Sequence, residues 1–249
     1  MFMTKLFFNI IFFVLIFLSC NKRYDDRKCF KSNGKEVSKE INLQDFNSIE
    51  LDGNFKVFLK SDTLNRIEIV SGKNLINNIK ADISDSILIL KDNNKCRWLR
   101  SYNVKKEIYV YYKNINYLLI NKQCDIISKD TVFVDDFEII DWGDIGTINL
   151  KLHCINFRFT VHSGTGDFYF SGITQNQFLY FHGNGYVHAK DLQSSYCDVT
   201  SKTTGDIEVF SDNNLFVKLY ESGNIYYYGA PLNITKSVKY SSGDLIKGK

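Results

Sequence analysis

The sequence predicts an all-β chain folded as a β-solenoid with rungs of about 20 residues, on three observations. First, a glycine recurs at Gly146, Gly166, Gly185, Gly205, Gly223 and Gly243, with gaps of 20, 19, 20, 18 and 20 residues. Second, the residue two places on is always apolar: Ile148, Phe168, Val187, Ile207, Ile225 and Leu245. Third, segments such as FRFTVH, QFLYFH and LFVKLY, rich in aromatic and β-branched residues, lie between the glycines and suit a pleated, half-buried surface. A fixed period of this size marks stacked units, none of which can bury its apolar face alone. An antiparallel sandwich with hairpins every 8 to 12 residues is the competing arrangement, but the repeat recurs at twice that interval and keeps its phase.

Each element follows from this frame. Alternate side chains of a strand face opposite sides, so the apolar residue two places after each glycine points inward, together with the one two further on. QCDIIS fits the same frame with Cys124 in the glycine slot. The glycine precedes a short strand of 4 to 6 residues at a tight corner, where a positive φ is expected. Residues 41–112 contain the strand-like runs FNSIELDG, NFKVFLKSD, NRIEIVSG, DSILILKD and KEIYVYYKN without the glycine period; NLINNIKADI is the one candidate short helix. This section is expected to cover the open apolar end of the stack formed by 113–249, as an atypical N-terminal β cap, with both parts in one domain over 41–249.

The N-terminus indicates where the chain works. Residues 1–19 carry Lys5, the apolar run LFFNIIFFVLIFL and Ser19, too short for a membrane span and of the length of a secretory signal's core. A small residue directly before Cys20 resembles the lipobox of bacterial lipoproteins, with Cys20 as the lipidated residue and the link to a membrane. Phe17 stands where a leucine is usual. Residues 20–40 are dense in charge and serve as a tether. The chain carries a net charge of +3, but 41–249 hold 23 basic and 24 acidic residues. A near-neutral body argues against nucleic acid as a partner. Of the six cysteines, Cys124, Cys154 and Cys197 sit in strand-like segments as small apolar fillers, and no CxxC or other zinc spacing is present.

FNSIELDGNFKVFLKSD, followed by NRIEIVSGKNLINNIKADISDSILILKD and by repeats such as HSGTGDFYF and YSSGDLIK, resembles the head GIN domain of auto-transporter adhesins. The resemblance covers roughly 41–249 and departs from the pattern at Asn121–Cys124 and Trp142–Gly146. It implies a right-handed parallel β-helix-like solenoid in a lipoprotein or exported protein of the Bacteroidetes group, with a surface role. It brings no catalytic residues and no cofactor.

Two constellations are candidates for function. The residues after the glycines, Asp125, Thr147, Asp167, Tyr186, Asp206, Asn224 and Asp244, form a corner column whose carboxylates are expected to bond local backbone amides. Trp142, His162, His182 and Lys202, spaced by 20, would share one wall and present an aromatic surface to a sugar ring, polymer or protein at the cell surface. A third ligand to accompany His162 and His182 on a metal is not evident. The chain thus reads as a tethered, non-enzymatic binding or assembly protein of the cell envelope. The alternative is a polysaccharide lyase or hydrolase, an analogy with other β-helices.

Overall fold

The structure, a computed structural model, describes residues 32–95, 105–142, 146–238 and 240–249. The first section holds β1 (Glu36–Asn42), β2 (Ser48–Asp52), β3 (Phe55–Ser61), β4 (Arg66–Gly72), β5 (Ile79–Ser84), β6 (Ile87–Asp92) and β7 (Lys106–Tyr112). The repeats supply β8 (Tyr117–Ile120), β9 (Cys124–Ser128), β10 (Val132–Phe133), β11 (Asp136–Asp141), β12 (Thr147–Val161), β13 (Asp167–Gly183), β14 (Tyr186–Thr203), β15 (Ile207–Phe210), β16 (Asn214–Leu219), β17 (Ile225–Tyr228), β18 (Asn233–Val238) and β19 (Leu245–Lys247). Among the described residues the one helical element is a 3-10 turn at Ile76–Asn78, inside the segment expected as a short helix; the rest of that segment enters β5.

Pairing in the repeats is parallel throughout, so the structure is the solenoid and not the sandwich. One wall stacks β8, β11, the second halves of β12, β13 and β14, then β16 and β18. The facing wall stacks β9, the first halves of β12, β13 and β14, then β15, β17 and β19. Ile126, Ile148, Phe168, Val187, Ile207, Ile225 and Leu245 fall in one register column, and all but Leu245 are buried. Between the walls the rings of Phe157, Phe159, Phe168, Phe170 and Phe181 meet edge to face at centroid distances of 4.8 to 5.6 Å. Such pairs contribute about 0.5–1.5 kcal/mol each beyond the area they bury.

The strands are longer than expected: β12, β13 and β14 span 15, 17 and 18 residues and bend from one wall to the other without breaking. Two side-chain columns hold that bend. Inside, the Thr174 hydroxyl lies 3.1 and 3.0 Å from the carbonyls of Ile155 and Asn176, and that of Ser211 lies 3.1 and 3.0 Å from those of Ser195 and Asn214. Outside, the Asn156 amide donates to Asp136 at 2.7 Å, Asn176 to Asn156 at 2.8 Å and Asn233 to Asn214 at 3.1 Å. These bonds tie β11 to β12, β12 to β13, β14 to the turn before β16, and β16 to β18 where the backbone turns.

The glycine corner needs a correction. None of Gly146, Gly166, Gly185, Gly205, Gly223 and Gly243 has a φ in the left-handed region. What excludes a side chain is the rung beneath: a Cβ on each would lie 2.0–2.6 Å from a carbonyl oxygen, that of Cys124 for Gly146 and that of the preceding glycine for the others. The column is a line of backbone-to-backbone close approach.

The first section does not stack in chain order. β2 pairs in parallel with both β6 and β8, and β3 with both β7 and β9, so the rung that comes first in sequence lies second in space. β4 then pairs antiparallel with β7, β1 with β4, and β5 with β6, which closes this end of both walls.

Candidate binding surfaces

The wall column expected from the 20-residue spacing is present. His182 is in register with Lys202, and the adjoining pairs Asp141 with Val161 and Val161 with Phe181 place Trp142, His162 and His182 in sequence along the same line. Trp142, 57% exposed, stacks on His162 with centroids 4.0 Å apart and planes within 13°. His162 also meets Tyr180 at 6.3 Å, and the Lys202 ammonium lies 5.2 Å from the rings of both Tyr180 and Tyr220. These contacts run along the stack, so one face of the indole is already covered by an imidazole. Among the described residues no group of three or more His, Cys, Asp or Glu side chains is placed to hold a metal ion.

At the glycine corner, Asp125, Asp206 and Asn224 reach the next rung, whereas Asp244 bonds within its own turn and Asp167 makes no side-chain hydrogen bond among the described residues. Asp125 accepts from the Thr147 amide at 3.1 Å, Asp206 from the Asn224 amide at 2.8 Å, and Asn224 from the Asp244 amide at 2.9 Å. Each carboxylate or amide oxygen thus satisfies a donor on the rung above it. Asp244, at the last rung, accepts from Lys236 and from the Leu245 amide, and these hold its carboxyl below the ordinary value.

A second outward cluster lies on the facing wall, three places after the glycines. Tyr169 stacks on His188 at 4.6 Å, and His188 Nδ1 lies 2.8 Å from Glu208 Oε2. Lys190 and the Tyr228 hydroxyl donate to Glu208 Oε1 at 3.3 and 3.1 Å. Burial raises the Glu208 pKa, but the bonds from His188, Lys190 and Tyr228 outweigh it and hold the carboxyl below its ordinary value. Sequence analysis did not single out this cluster, although Tyr169, His188, Glu208 and Tyr226 follow the glycine gaps of 19, 20 and 18. The asparagine ladder carried a similar signal in the spacing of Asn156 and Asn176.

Cys124, Cys154 and Cys197 are buried in the stack, and burial pushes the thiols of Cys154 and Cys197 up, as befits fillers. The expected lipidation site Cys20 lies outside the described residues.

Comparison with solved structures finds the same fold in other proteins. The chain aligns with a structure from Bacteroides fragilis described as a putative adhesin at a TM-score of 0.80 and 19% identity, covering 86% of this chain and 97% of that one. A putative adhesin from Parabacteroides merdae gives 0.66 at 19% identity, with 87% and 98% covered. A structure from Parabacteroides distasonis described as a putative lipid binding protein gives 0.60 at 18% identity, with 88% and 98% covered. At these identities the likeness is one of fold. No curated protein matches the chain. The family model described as "Putative auto-transporter adhesin, head GIN domain" matches residues 45–231, three quarters of the sequence, and the chain belongs to that family.

Proposed function

We propose that this chain is an exported lipoprotein, held to a membrane through Cys20, whose solenoid head is a non-enzymatic body for surface adhesion, assembly or binding of a polymer or protein partner. The observation that carries the non-enzymatic reading is the engagement of Asp125 and Asp206, the carboxylates two rungs to either side of Asp167 on the glycine corner. Asp125 and Asp206 each staple one rung to the next through a backbone amide. A carboxylate pair for glycoside hydrolysis needs one member raised in pKa and both free to face a sugar. Two flat walls of outward Tyr, His, Lys and Asn side chains, fixed by rung-to-rung contacts, suit recognition by a rigid surface. The family's adhesin description agrees with an exported location.

The test is a glycan and matrix-protein binding array probed with the chain from residue 21 onward, run beside a turnover assay on the same polysaccharides. Binding without turnover is expected; release of new reducing or unsaturated ends would establish the enzymatic alternative. For the tether, radiolabelled palmitate should enter the wild type in an exporting bacterial host and be absent from Cys20→Ala. Equal labelling of the two would remove Cys20 from the anchor.

A further inference from the structure

We propose that the groove beside β10 is a binding subsite for a neutral glycan; this rests on the reading of the head as a binding body and names the chemistry it takes. β10 opens the third side of the solenoid. Among the described residues its pairing is with β12 alone, through Val132 with Leu152 and Phe133 with His153, so a step is left between it and the 113–116 turn. The step encloses a groove of about 560 Å³, within the range of about 300–1,000 Å³ that ligand pockets occupy.

Its lining combines a free aromatic face with unengaged neutral polar groups. Phe133 is 70% exposed, the one phenylalanine among the described residues left in solvent. Its neighbour His153 is tilted by 35° at 5.3 Å, so the ring is not capped as Trp142 is by its parallel imidazole. Ile155, 44% exposed, extends the apolar surface. Around these, the side-chain amides of Asn114 and Asn116 and the carboxylate of Asp135 line the groove, and none of the three is engaged in a side-chain hydrogen bond among the described residues. An amide offers two donors and an acceptor, and a carboxylate accepts from two hydroxyls, which matches the vicinal hydroxyls and C–H face of a pyranose.

The lining also selects against other occupants. No lysine or arginine contributes to it, so a sulfate, phosphate or uronate would meet the Asp135 charge with the His153 imidazole as the one basic side chain beside it. A peptide adding as a strand would find only two residues of β10 to pair with. At the base, burial raises the Cys154 thiol, whose sulfur lies 3.4 Å from the Thr174 hydroxyl, so capture is non-covalent.

The experiment is titration of the chain from residue 21 onward with neutral hexose and N-acetylhexosamine oligosaccharides and with their uronate and sulfated counterparts, followed by saturation-transfer NMR and calorimetry. Phe133→Ala and Asn116→Ala should each weaken neutral-glycan binding by about tenfold or more, whereas Leu64→Ala, at an exposed position outside the groove, should leave it unchanged, with circular dichroism and melting confirming the fold of all three. Wild-type affinity in both groove variants would overturn the proposal, as would an equal loss in Leu64→Ala. Tighter binding of anionic sugars, or displacement by a peptide that binds the same groove, would do so too. If no neutral oligosaccharide binds while a matrix protein does on the array, this inference falls and the binding-body reading stands.

Discussion

The two ends of the stack solve one problem in different ways. At the N-terminal end, antiparallel β1, β4 and β5 cover the parallel rungs, and a Lys106–Asp92 ion pair is sealed beneath them, with the Asp92 side chain fully buried. At the C-terminal end of the described stack, β18 and β19 pair on one side, and apolar positions remain open: Leu232, Ile234 and Val238 are 79%, 44% and 47% exposed. Here too a lysine meets an aspartate, Lys236 with Asp244, but in solvent. The buried pair is a structural bolt; the exposed one places charge on an edge that would otherwise take another strand.

The largest effect is expected at the bolt. Asp92→Asn removes one partner and leaves the Lys106 ammonium, 11% exposed, without its counter-charge, which costs about 3–5 kcal/mol. Urea unfolding monitored by tyrosine fluorescence checks this, and a loss below about 1 kcal/mol would make the two ends equivalent. The pH dependence sharpens it. Burial raises the Asp92 pKa, but the bonds from Lys106 and Asn94 outweigh burial and lower it below the ordinary 3.8. Its contribution is therefore present above the ordinary carboxylate range and is lost as pH falls through the lowered folded value. The wild type should lose stability more steeply than Asp92→Asn below about pH 4.

Between the ends, the rungs are coupled by backbone approach. Gly205→Ala would put a Cβ 2.1 Å from the Gly185 carbonyl oxygen, forcing adjacent rungs apart at about 1–3 kcal/mol. A native midpoint in that variant would mean the corner carries no strain. Gln177 acts in the opposite sense. Wholly buried between Phe157 on one rung and Cys197 on the next, it has no hydrogen-bond partner for either side-chain polar atom. Gln177→Leu should therefore stabilise by up to about 1–3 kcal/mol, by removing the desolvation of an unpaired amide. A destabilised variant would show instead that a water satisfies that amide in solution.

How much was legible follows from which residues repeat. The glycine column and the apolar residue two places on gave the rung length and parallel stacking, because both are imposed by contact between neighbouring rungs and so recur with the rung. The same contact explains what was misassigned. A glycine before a strand suggests a positive φ, yet at Gly166 the constraint is the Gly146 carbonyl 2.6 Å from its missing Cβ, a neighbour 20 residues away. The aspartates after the glycines were expected to close their own turns, yet Asp206 reaches Asn224 on the next rung. The threading of β2 and β3 between later strands left no periodic trace, since each of those contacts occurs once. Trp142, His162, His182 and Lys202 were found by their spacing, whereas the groove at Phe133 was not, because it exists where the third side begins and no repeat marks a beginning.

The smallest change in stability, and the most direct test of how the two ends differ, is expected from Lys236→Ile. Lys236 is in register with the buried Val217, so on a further rung its position would face the core. A lysine there keeps the terminal cross-section from accepting a second copy, as inward-pointing charges do on natural sheet edges. Replacing it with isoleucine should shift folding stability by no more than about 0.5 kcal/mol, since the side chain is partly exposed and its ion pair is screened. It should nevertheless join Ile234 and Val238 into one apolar strip beside a strand edge that has no further partner among the described residues. Sedimentation velocity across a concentration series reads the outcome: a monomeric wild type and a self-associating variant are expected. A variant that stays monomeric, or a wild type that already dimerises, would mean the charge does not guard this end.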